Sequence, residues 1–138
     1  ITSEDYLLWL KIGVNNSIFR VPEVLAYYHF HGNHQATRDR YRLARNHWLV
    51  QQEFLKTNPW LIRQIGRRRI RELTHGELLK KGLVCYWERD LDSARPIFRS
   101  VMRAGSGNLS EWKHMLPSVL PGTLHKALIN FSDKTRGW

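Results

Sequence analysis

From Ala36 to Lys56 the apolar residues Tyr41, Ala44, Trp48, Val50 or Gln51, and Leu55 recur at three- and four-residue steps. That spacing buries one face only when the chain is an α-helix, so it constrains the fold more than any other feature of the sequence. Asn58-Pro59 ends the run, and a second helix is expected over Trp60 to Arg71, with Leu61, Ile62, Ile65 and Ile70 as its apolar edge. Residues 72–104 read as a helical hairpin. Its first helix carries Leu78-Leu79, Gly82-Leu83 and Tyr86-Trp87; its second carries Ala94, Ile97, Phe98, Val101 and Met102, with Asp92 as cap and Pro96 in the first turn. The placing of Gly82, Ala94 and Phe98 resembles one tetratricopeptide unit, with small residues where two helices approach closely, and no second copy follows. The run 104–108 is a loop, Leu109 to Leu120 a last short helix, and the tail to Trp138 a frayed one.

The first 37 residues read differently. Thr2 or Ser3 offers an N-cap, Glu4 and Asp5 suit the positive end of a helix dipole, and a helix is expected over residues 4–14. Gly13 and the Asn15-Asn16-Ser17 cluster end it. Ile18 to Val21 reads as a short strand before Pro22, and Val24 to His31, rich in β-branched and aromatic residues, reads as extended. The fold class expected from these patterns is mainly α, with one or two short β-strands near the N-terminus.

Charge divides the chain at the same place. Residues 1–37 carry a net −1 and residues 38–138 a net +11, against a whole-chain charge of +10. Such a balance points to phosphate-bearing partners or an anionic membrane surface. The one cysteine, Cys85, excludes a disulfide framework and a cysteine-based zinc site and suits a reducing compartment. No apolar stretch approaches the ~20 residues that cross a bilayer.

Three clusters can carry chemistry. Glu4-Asp5 places carboxylates at a helix N-terminus, where amides hold them ionised and able to accept a proton from a hydroxyl; the same placement also serves simple dipole complementation. His29 and His31, with His34 nearby, project from one face of an extended segment and can act as metal ligands if a carboxylate joins them, or as structural histidines. Arg63, Arg67, Arg68, Arg69 and Arg71, following Trp60, form a basic helix that can lie on anionic lipid, track phosphates or stay solvated.

The order of these features resembles the C-terminal part of the catalytic domain of family 2 glycosyltransferases. The residues that carry the resemblance are Glu4-Asp5-Tyr6-Leu7-Leu8-Trp9-Leu10, then Val21-Pro22-Glu23-Val24-Leu25-Ala26-Tyr27-Tyr28-His29-Phe30-His31. The family pattern is an acid-Asp pair followed by a Trp-Leu helix, a Pro-Glu-x-Leu turn and a Tyr-Arg-x-His segment. This sequence departs from it at His29, where arginine is usual, and at Ala36, where serine is frequent.

The resemblance implies that residues 1–37 end an α/β A-type catalytic domain and that 38–138 form a basic helical extension of the kind common in bacterial members. It implies inverting sugar transfer from a nucleotide-sugar donor to a carbohydrate or lipid-linked hydroxyl acceptor, in cell-surface polysaccharide or glycolipid synthesis. By the same resemblance Asp5 is the general base, Glu4 orients the acceptor or the helix start, Trp9 packs beneath the acceptor site, and His31 with His29 contacts the diphosphate and its Mn or Mg ion. The family's donor-binding βαβ units and Asp-x-Asp motif lie upstream of the acid pair. Asp90-Leu91-Asp92, the one such spacing here, falls between expected helices. The chain is accordingly expected to be the tail of a larger enzyme, inactive alone, cytoplasmic or peripheral at the inner face of the membrane, with no nucleic acid as partner. The rival expectation is a noncatalytic basic helical module that binds nucleic acid, a membrane surface or a protein.

Overall fold

The computed structural model describes residues 3–27 and 39–136. They form helices α1 (Glu4–Gly13), α2 (Arg40–Thr57), α3 (Pro59–Ile65), α4 (Arg67–Arg71), α5 (Glu77–Trp87), α6 (Leu91–Arg103), α7 (Leu109–Met115) and α8 (Gly122–Arg136). A π turn, Glu72–Gly76, joins α4 to α5, and a 3₁₀ turn, Leu116–Val119, follows α7. No β-strand occurs among the described residues. The expected strand at Ile18 to Val21 is therefore absent, and no strand forms over 24–27, the described part of the segment read as extended; its remainder, 28–31, lies outside the described residues. β-propensity measures fit to a sheet, and here no neighbouring strand pairs with the backbone; Phe19 is 86% exposed.

The core is built by α5 and α6, as the hairpin pattern predicts. Leu78, Leu79, Cys85 and Tyr86 meet Leu91, Ala94, Ile97, Phe98 and Val101, joined by Ala44, Met115 and Ile129. Gly82 lets the two helices close: a Cβ there would stand 2.8 Å from Ile97 Cγ2 and 2.9 Å from Phe98 Cε1. The α6 cap differs from expectation. Asp90, not Asp92, holds the N-cap and accepts from Ser93 N at 3.1 Å, because the helix starts at Leu91. Pro96 consequently sits in the second turn, not the first, where it removes one internal hydrogen bond.

Three further boundaries move for identifiable reasons. α2 starts at Arg40 because Asp39 caps it, its side chain accepting from Arg42 N at 2.8 Å. The single helix expected over 60–71 is two, since Gly66 takes φ +88° and ψ 142°, a conformation essentially confined to glycine. The last short helix stops at Met115, where Pro117 has no amide to continue it and a 3₁₀ turn takes over.

The tail is a packed helix. Arg95 and Arg99 of α6 donate from Nε to the Ser118 carbonyl at 3.1 and 2.8 Å, fixing the turn that leads into α8. His125 and Ile129 then bury against the core, Arg89 grips Asp133 with two bonds of 2.5 and 2.7 Å, and Lys126 meets Asp92 at 2.8 Å. Half of the Asp-x-Asp spacing is thus a helix cap and the other half a surface ion pair.

Candidate functional site

The acid pair occupies the first turn of α1 and is exposed to solvent. Ser3 holds the N-cap position without a side-chain cap bond, and Asp5 Oδ1 accepts from the Tyr6 amide at 2.8 Å. An ionised carboxylate fits that position, because the first-turn amides and the helix dipole stabilise negative charge.

α1 is fastened to α2 through Tyr6. Its ring stacks on His47 with centroids 4.8 Å apart, and its hydroxyl accepts from Gln51 Nε2 at 2.8 Å. His47 Nδ1 in turn lies 2.9 Å from Lys81 Nζ, so that the lysine ammonium donates to a neutral imidazole. Burial and the neighbouring Lys81 charge hold the His47 imidazole below its ordinary range, while Asp5 acts on it in the opposite direction. Burial likewise lowers Lys81, against the pull of Glu77. These groups line a pocket of about 220 Å³ between α1, α2 and α5. Asp5, next to Tyr6 in the chain, thus acts electrostatically on the His47 of this polar cluster. An apolar pocket of about 350 Å³ continues from it, walled by Leu10, Phe54, Leu61, Ile65 and Ile70.

Trp9 does not pack beneath this site. It is 57% exposed, because α1 rests on α2 along the Tyr6 and Leu10 edge and no described element covers the opposite side. His29 and His31, the expected metal and diphosphate contacts, lie outside the described residues. Among the described residues no group of three or more His, Cys, Asp or Glu side chains is placed to hold a metal ion.

The arginine cluster is divided. Arg63 belongs to α3, whereas Arg67, Arg68, Arg69 and Arg71 lie beyond the Gly66 break and line a separate groove. The apolar edge of the former single helix is also spoken for, since Leu61, Ile65 and Ile70 turn toward the junction with α1 and α2. Among the described residues no helix is long and apolar enough to cross a membrane.

His47, Gln51 and Lys81 were not singled out by sequence reasoning. A signal existed: His47 and Gln51 share the stripe of Ala44 and Trp48, and a polar pair on a core-facing stripe calls for partners. The partners, Tyr6 and Lys81, are 30 or more positions away and invisible to local spacing. No protein-family model, no curated protein and no solved structure matches this chain.

Proposed function

We propose that this chain is the acceptor-side, C-terminal portion of an inverting glycosyltransferase that uses a nucleotide-sugar donor. The observation that carries the reading is the exposed Glu4-Asp5 pair, set in the first turn of a helix whose other edge is tied to α2. Motif order supports it: acid pair, Trp9-Leu10, Pro22-Glu23-Val24-Leu25, then the histidine segment.

In this role Asp5 takes the proton of the acceptor hydroxyl as the hydroxyl oxygen attacks the anomeric carbon. The bond from that carbon to the diphosphate oxygen breaks with the electron pair leaving on the nucleotide, which inverts the configuration. Asp5 is suited to this because it is solvent-accessible and its carboxylate accepts from the Tyr6 amide. Glu4, beside it, orients the acceptor. Deprotonation of the acceptor is the step that the described residues of this chain perform; a donor-site metal, where one binds, serves the leaving diphosphate.

The test is made in the enzyme that carries the donor-binding half upstream of Ile1. Asp5→Asn should leave nucleotide-sugar affinity unchanged and lower turnover by at least about 10²-fold, the usual scale of general-base catalysis. Near-normal turnover in the variant removes Asp5 from the base role.

A further inference from the structure

The break at Gly66 sends α4 away from α3 and places its arginines on one wall of an open groove of about 950 Å³. The facing wall is the loop from Gly105 to Asn108 with Glu111, and Leu73 and Leu79 contribute apolar surface. Five cationic side chains line the groove: Arg67, Arg68, Arg69, Arg71 and Lys80. Three carboxylates also line it, and each is already engaged. Glu72 accepts from Arg68 Nε at 3.3 Å and Arg69 Nη1 at 3.1 Å. Lys80 holds Glu77 at 2.6 Å, and Glu111 accepts from the Asn108 amide at 2.6 Å as half of a capping box.

The groove therefore keeps an excess of two positive charges, and Arg67 and Arg71 make no ion pair with any described carboxylate. Two guanidinium forks in one concavity suit phosphate oxygens, which they can bind in bidentate fashion with charge assistance. The volume exceeds what one inorganic phosphate fills and falls in the range of small-molecule sites.

We propose that this groove is a binding site for a ligand carrying a diphosphate or two neighbouring phosphates, held by Arg67 and Arg71 and flanked by Arg68, Arg69 and Lys80. Two sources supply that chemistry, a lipid headgroup and a soluble phosphorylated compound. The site is independent of the base role of Asp5, which lies on a different helix and lines neither wall.

The test uses the full 138-residue chain and inorganic pyrophosphate as probe, with binding followed by calorimetry. Wild type should bind saturably, and Arg67→Gln/Arg71→Gln should weaken binding at least tenfold. Arg42→Gln/Arg63→Gln, which removes the same charge outside the groove, should leave it within twofold. Circular dichroism confirms that both exposed double variants are folded. A second arm separates the sources by co-sedimentation with phosphatidylglycerol and phosphatidylcholine vesicles. Sedimentation with phosphatidylglycerol alone, released by pyrophosphate, assigns the groove to a headgroup phosphate. Pyrophosphate binding without vesicle binding assigns it to a soluble ligand. Absence of saturable pyrophosphate binding, or equal weakening in the two double variants, overturns the proposal.

Discussion

His125 shows how a single side chain can set a pH dependence. It is fully buried on α8, and neither ring nitrogen has a hydrogen-bond partner among the described residues. Burial, and then Arg95 and Arg99, hold its imidazole below the ordinary value of 6.5. The unfolded chain takes up this proton near pH 6.5, whereas the folded chain takes it up only at lower pH. Between those two values the unfolded state binds more protons, so stability falls as pH drops below about 7 and levels off once the folded ring is protonated. His47 and His75 are shifted in the same direction, chiefly by burial, and add to the slope. His125→Leu should flatten part of that slope in thermal melts between pH 7.5 and 5. It should cost under about 1.5 kcal/mol at neutral pH, because it swaps a similar volume and removes two unpaired polar atoms. A variant with the wild-type pH profile would show that His125 does not drive it.

At the scale of elements the α5–α6 hairpin is the contact on which the others depend. Gly82 lies where the two helices touch, opposite Ile97 and Phe98, which are fully buried and have no room to withdraw. Gly82→Ala gains up to about 1 kcal/mol of helix propensity. Against this stands overpacking, which costs about 1–3 kcal/mol in a filled core. With the full propensity gain, the expected net result is a loss of up to about 2 kcal/mol, read as a lower urea midpoint at unchanged slope. An alanine variant as stable as wild type would mean that the hairpin can open at Gly82 without losing packing. Elsewhere, element ends follow capping chemistry that is written locally. Asp39, Asp90 and Asn108 each accept an amide bond and each starts a helix. Two of the ends read wrongly are those where a residue admits two roles: Asp92 is as good a cap as Asp90 on composition, and Gly66 inside an apolar stripe is as compatible with a helix interior as with a break.

Over the whole molecule, stability is unevenly spread. α1 has no buried residue, whereas α5 and α6 supply most of the core. Native-state hydrogen exchange should therefore show α1 amides exchanging through local opening, insensitive to low denaturant, and α5–α6 amides exchanging only with global unfolding. Equal protection of α1 and α6 would contradict that order. The acid pair at the exposed end of α1 thus sits on a less protected element beside a firm base. The order of the helices from α2 onward, apart from the division of 60–71 at Gly66, was legible in the sequence, because a 3.6-residue apolar period and side-chain caps act within a few positions. The acid pair was legible for the same reason, as a first-turn feature. The failed strand at Ile18 to Val21 and the exposed Trp9 were not, since strand pairing and burial depend on what the rest of the chain brings alongside. By itself the sequence determined a helical, strongly basic chain with one hairpin closed over Gly82. Only the tertiary structure decided that Tyr6, His47, Gln51 and Lys81 converge and that four arginines share a groove from which Arg63 is excluded. Those arrangements rest on contacts between residues 34 to 45 positions apart and on one glycine's backbone angle, and neither is encoded in any local period.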